Sequence, residues 1–150
     1  MHSRLLSRRK SKTGSPRIVV DTSVLVAGVS GFRKPYVPGR NPSADVLYAW
    51  AAKRSFVWLV TEDILDEYKE ILNRLRVRHS LIGAVINLIR ERAEYVEVRE
   101  SIALSPDPGD DKFCLCAEQG RAGFIVTLNP ADFPQARLRA AVVSPGGIVL

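Results

Sequence analysis

Short apolar runs that break off at a polar residue alternate along this chain with longer stretches of helical spacing. That alternation limits its fold more than any other feature. Ile18-Val19-Val20, Phe56 to Val60, Phe124 to Leu128 and Ala141 to Ser144 read as strands, with a further short strand expected at Val96 to Val98. Thr22 to Val29 leaves the first strand as a turn or helix. Asn41-Pro42-Ser43 has the form of a helix start, opening a helix over Ala44 to Lys53. Thr61 caps a helix reaching about Arg76, with Glu62 and Asp63 in its first turn, where the helix dipole favours acids. Ser80 to Ala93 places Leu81, Val85, Leu88 and Ile89 at helical spacing. A helix over Asp110 to Gln119 is closed by Gly120, and Pro134 to Leu138 forms a turn or short helix. Strands alternating with helices imply an α/β fold, a parallel sheet covered on both faces.

The 150 residues suit one domain, and a chain of this length buries enough surface to need no covalent staple. No apolar run approaches the ~20 residues that span a bilayer, so no membrane partner is expected. The two cysteines, Cys114 and Cys116, are one residue apart and make no disulfide framework, which points to a cytoplasmic protein. The net charge of +6 is unevenly placed. Arg4, Arg8, Arg9, Lys10, Lys12 and Arg17 lie in the first 17 residues with no acid among them, leaving 16 basic against 16 acidic residues. Residues 1–16 therefore read as a basic disordered tail and 17–150 as the folded domain. Such a tail suits an anionic partner, or is a leader without function. Residues 30–43, rich in Gly, Pro and cations, read as a long loop.

In sheets of this kind the site lies at the carboxyl ends of the strands. Asp21 ends the first one, and a carboxylate there needs a cation or strong donors, which Thr22 and Ser23 can supply. On the 61–76 helix, Ile64, Tyr68, Ile71 and Leu75 form an apolar stripe with Leu65 and Leu72 beside it. Glu67 falls about 60° from Ile64, at the edge of that stripe. Asp63, Asp66 and Glu70 fall on the solvent side, while a surface salt bridge with Lys69 or Arg74 is the other reading of Glu67. Asp107, Asp110 and Asp111 crowd a helix start, more acid than a cap and a dipole worth ~1 kcal/mol each account for. A hard divalent cation with oxygen ligands accounts for it better. Thr127, Asn129 and Asp132 stand at the end of the strand that begins at Phe124.

The segments VVDTSVLVAG, ILDEYKEIL, DPGDDKF and IVTLNPADFP occur in the order and roughly the spacing of PIN-domain proteins, over about Arg17 to Leu150. The likeness extends to the VapC-like toxin branch. By resemblance, Asp21, Glu67 and Asp111 match the family's first three metal-binding acids, with Asp110 adjacent and able to share the role. Asn129 stands where a fourth acid is expected, and Asp132 follows three residues later. The resemblance implies a three-layer α/β/α sandwich and a Mg²⁺- or Mn²⁺-dependent ribonuclease leaving a 5′-phosphate and a 3′-hydroxyl. It also implies a small antitoxin partner and a homodimer.

The rival of another class is an RNA-binding module of the same fold without catalysis. A phosphate-receiver domain would need an aspartate ending the third strand and a lysine near a later one, and neither is evident. Cys114 and Cys116 make half a zinc site, but His2 and His79 lack ligand spacing, so both cysteines read as core. No glycine-rich phosphate loop and no Ser–His–Asp set is present. Arg33, Lys34, Tyr36 and Arg40 mix cations with an aromatic ring in the manner of single-stranded RNA contacts, or of a solvated loop. Contacts to single strands lower log K against log salt by ~0.7 per neutralised phosphate. Removing residues 1–16 should therefore weaken RNA binding and flatten that slope, measured by salt titration of binding. An unchanged slope would mean that the tail does not touch RNA.

Overall fold

The first strand, β1 (Arg17–Val20), becomes the centre of the sheet because Ile18, Val19 and Val20 are fully buried and can be satisfied only with a neighbour on every side. The computed structural model describes residues 14–31, 35–99 and 108–150, with the side chains of residues 31 and 108–110 left out. The expectations for residues 1–13, Arg33, Lys34 and Asp107, and for the Asp110 side chain, lie outside the described residues. After β1 come α1 (Thr22–Gly31), α2 (Pro42–Ala51), β2 (Val57–Val60), α3 (Glu62–Arg74) and α4 (His79–Arg92). There follow β3 (Glu94–Tyr95), α5 (Pro108–Gln119), β4 (Phe124–Val126) and β5 (Ala141–Val143), with single 3-10 turns at Pro130–Asp132, Gln135–Arg137 and Pro145–Gly147.

The five strands run in the order β3-β2-β1-β4-β5, all parallel, with Ile18 registered against Trp58 on one side and Phe124 on the other. Successive residues of β2 show that both faces are covered. Trp58 meets Trp50 of α2 and Tyr68 of α3 edge-on, at ring centroid distances of 4.7 and 6.2 Å. Leu59 points the other way, where a side chain on Gly120, just past α5, would come within 3.0 Å of it. This is the expected α/β sheet clothed by helices on both faces. The chain builds outward from β1 to β3, then returns past both strands to β4. β1 and β4 are thus neighbours from crossovers heading in opposite directions, and a crevice opens at their carboxyl ends.

Local chemistry explains most element limits. Asn41 caps α2 through its side chain with Pro42 in the first turn, so the helix starts two residues before the expected Ala44. Thr61 caps α3, its hydroxyl accepting from Ile64 N at 3.2 Å. At the far end of α2, Arg92 of α4 donates to the carbonyls of Trp50 and Ala51 at 3.1 and 3.0 Å and lies over the Trp50 ring. Three further expectations shift. The third strand forms at Glu94–Tyr95 rather than Val96–Val98, because Ala93 is already extended and the chain enters the sheet at once. The buried face of α3 is Ile64, Leu65, Tyr68 and Leu72; Leu75 is 52% exposed, since the helix ends before it and a left-handed Arg76 turns the chain away. β4 closes at Val126, two residues early, because Leu128 N turns out of the ladder to donate to Ser23 Oγ.

Gly28 is where α1 and α2 touch. A methyl group there would lie 2.5 Å from Leu47 Cδ1 and 2.9 Å from the Ser43 carbonyl. Alanine gains roughly 1 kcal/mol over glycine inside a helix, but overpacking against backbone costs about 1–3 kcal/mol. Gly28→Ala should therefore lower the urea midpoint. A variant as stable as the parent would show that the two helices are not in contact at this point.

Candidate active site

Asp21 occupies the junction of β1 and α1. Its backbone N–H donates to Val126 O of β4 at 2.9 Å, the last link between the two central strands, and its carbonyl accepts from Val24 N at 3.0 Å to start the helix. Its side chain is consequently fixed at the crevice, in a residue only 8% exposed. Ser23 Oγ donates to Asp21 Oδ2 at 2.6 Å and Thr127 Oγ1 donates to the same oxygen at 2.8 Å. Both hydroxyls are further used: Ser23 Oγ accepts from Leu128 N at 3.1 Å, and Thr127 Oγ1 from Asn129 N at 3.1 Å. One carboxylate oxygen is thus saturated by an ordered relay from both strands. No donor among the described residues reaches the other, Oδ1.

Glu67 lies on the second turn of α3, its side chain 19% exposed. Thr22 Oγ1 donates to Glu67 Oε2, so the residue after Asp21 reaches across to the second acid instead of supporting the first. Lys112 Nζ of α5 donates to Glu67 Oε1 at 3.0 Å. The cation expected from the sequence of the helix goes elsewhere, Lys69 to Asp66 and Arg74 to Glu70. Three segments distant in sequence therefore converge: Asp21-Thr22, Glu67 and the first turns of α5.

Asp111 belongs to those turns, partly buried and next to Lys112. Asp21 and Glu67 are linked through Thr22, but among the described residues no group of three His, Cys, Asp or Glu side chains has the spacing to hold a metal. Asn129 and Asp132 are exposed at the mouth of the crevice, joined by a bond from Asp132 N to Asn129 O at 3.0 Å. Arg40 is exposed in a turn, and Tyr36 is stacked on Tyr48 at 4.3 Å with its hydroxyl committed to Asp45 at 2.6 Å. That bond raises the Tyr36 pKa to about 12. Cys114 and Cys116 form no disulfide and are buried, and burial pushes the Cys116 thiol up to about 12.

The donor atoms at the crevice are oxygens, the kind a hard divalent ion takes. Asp21 keeps one oxygen that no donor among the described residues reaches, whereas both oxygens of Glu67 are engaged, by Thr22 and Lys112. The PIN-domain family profile matches residues 17–131, which takes in every element from β1 to the turn after β4. The chain belongs to the PIN-domain family. A search of curated proteins returns no match. PIN domains are generally nucleases, hydrolases that use divalent metals, and a nuclease-type function follows for this one. No helix among its described residues is long and apolar enough to cross a membrane.

Two residues of this PIN domain carry weight that sequence reading did not assign. Tyr68, fully buried, donates to Val20 O beside Asp21 and accepts from Trp58 Nε1 at 3.3 Å; burial raises its pKa well above the usual tyrosine value. Lys112 was legible as a neighbour of Asp111, yet nothing in the sequence paired it with Glu67. The hydroxyl relay offers a direct check. Removing a hydrogen bond to a buried charged group costs about 1–3 kcal/mol, and Thr127 is fully buried. Thr127→Val, of nearly equal shape, should lower stability by that amount in chemical denaturation. An unaltered midpoint would show that Asp21 does not depend on the relay.

Proposed function

We propose that this PIN domain is a Mg²⁺- or Mn²⁺-dependent endoribonuclease, and that it serves as the toxin of a toxin–antitoxin pair in the cytoplasm. The observation that carries the catalytic reading is the Asp21 carboxylate, buried at the β1–β4 crevice with one oxygen bonded to two hydroxyls and no donor from the described residues on the other. Asp21 and Asp111 would hold the ion, with Glu67 as a direct or water-mediated ligand and Asn129, Asp132 or Asp110 able to add oxygens. A bound divalent ion lowers the pKa of a coordinated water and stabilises charge on a scissile phosphate. Ser23 and Thr127 keep the Asp21 carboxylate in one rotamer, so its reactive oxygen needs little reorganisation. Thr22 does the same for Glu67. The toxin role rests on the likeness of the four motifs to the VapC-like branch, and with it go a small antitoxin and a homodimer as partners.

One observation favours the second reading, a PIN-fold RNA-binding module without catalysis. Glu67 already has a cation, Lys112. Activity decides between them. RNA cleavage by the purified protein should cease in excess EDTA and return with Mn²⁺, and Asp21→Asn should bind RNA and stay folded while losing cleavage. Mn²⁺ should also stabilise the parent by RT ln(1 + [L]/Kd), about 2.7 kcal/mol at a hundredfold excess over Kd, and so raise its melting temperature. Cleavage that persists in EDTA after nuclease controls refutes the metal mechanism. Tight RNA binding without cleavage in Mn²⁺ establishes the second reading.

A further inference from the structure

Lys112 is a cation in contact with a candidate ligand, Glu67, and its circumstances differ from those of the surface pairs around it. Its side chain is 29% exposed and that of Glu67 19%, whereas Arg74 and Glu70 are 65% and 63% exposed. A partly buried pair is screened less by solvent than an exposed one. Glu67 has both oxygens engaged, Oε2 by Thr22 and Oε1 by Lys112. The contrast with Asp21 is clear: its two donors are neutral hydroxyls on a single oxygen. Lys112 also lines a cleft of about 480 Å³ together with Thr61, Asp63, Val96 and Leu115. The lysine stem is flexible, so the cleft gives the ammonium somewhere to go without any movement of α5.

We propose that Lys112 is the built-in counter-ion of the metal-free site, holding Glu67 through its ammonium and giving up that carboxylate to the cleft side when a divalent ion takes it. This rests on the reading of the protein as a metal-dependent nuclease. Lys112 is then a positioning residue. It keeps Glu67 ordered and compensated before the ion arrives, and it lowers the apparent affinity by the fraction of molecules in which Glu67 is still held. An ion held directly by Glu67 would have to displace the ammonium from its carboxylate.

The test is a calorimetric titration of the purified full chain with Mn²⁺, paired with melting curves with and without the ion at constant ionic strength. Lys112→Met should bind Mn²⁺ about tenfold more tightly, the ratio set by an interaction of about 1.4 kcal/mol. It should melt below the parent without metal and gain more on its addition. Lys112→Gln, which keeps a donor but drops the charge, should move in the same direction and serves if the methionine variant does not fold. Lys112→Arg should restore the parent affinity. Lys69→Met, removing a lysine two residues from Glu67 that pairs with Asp66 instead, should leave affinity unchanged. Equal or weaker binding by Lys112→Met overturns the proposal. An equal gain from Lys69→Met also overturns it, since the effect would be the general field of a lysine. Mn²⁺ bound by every variant with one affinity removes the role of Lys112 alone, whereas Mn²⁺ bound by none removes the metal-dependent reading with it.

Discussion

Everything at the crevice depends on how a carboxylate is kept at the end of a buried strand. Asp21 continues β1 through its N–H bond to Val126, opens α1 through its carbonyl, and is held in a nearly closed position by hydroxyls from both sides. The alternatives would defeat the site. An arginine partner would occupy the oxygen that no donor among the described residues reaches, and an apolar setting would leave both oxygens without donors. Neutral hydroxyls satisfy one oxygen without neutralising the group. The price is paid in polar burial, and the relay through Leu128 N and Asn129 N repays it by leaving neither hydroxyl oxygen idle.

The two acids linked through Thr22 are managed differently, and the difference follows from where they sit. Asp21 is on a strand end, with a ladder on both sides to supply hydroxyls. Glu67 is at the edge of the buried face of a helix whose other acids, Asp63, Asp66 and Glu70, are turned toward solvent, and its donors come from other elements: Thr22 from α1 and Lys112 from α5. Tyr68, one residue on, anchors that helix to the same strand end through Val20 O. The distance between the acids is therefore governed by α3 packing against β1, and core residues and site residues share one piece of backbone.

The fold was legible because the pattern that marks it is local. Ile18-Val19-Val20, Thr61 before Glu62-Asp63, and Asn41-Pro42 each announce an element by their own chemistry, and the sheet follows from their alternation. Glu94–Tyr95 was not legible, since a two-residue edge strand has no apolar run to show; pairing with Leu59 and Val60 defines it. In the site, Asp21, Glu67 and Thr127 could be picked out as polar residues at strand ends or stripe edges. The partnerships could not. Thr22 looked like a donor for the acid beside it and serves Glu67 instead, and Lys69 and Arg74 looked nearer to Glu67 than Lys112, which lies 45 residues away in sequence. Spacing along one helix predicts neighbours on that helix, and says nothing of which foreign element packs over it.

The short outer strand has a bearing on how this molecule behaves among its own copies. A parallel sheet ends in two rows of unsatisfied amide and carbonyl groups, and a long apolar row invites a second chain to extend the ladder. Here one rim is Glu94–Tyr95 and the other Ala141–Val143, two and three residues long. The glutamate at the first rim is itself tied across the sheet to Arg17, whose guanidinium also binds Gly120 O at 2.9 Å. Among the described residues neither rim offers a long template for a second chain, and the very apolar β1, β2 and β4 lie between these brief margins.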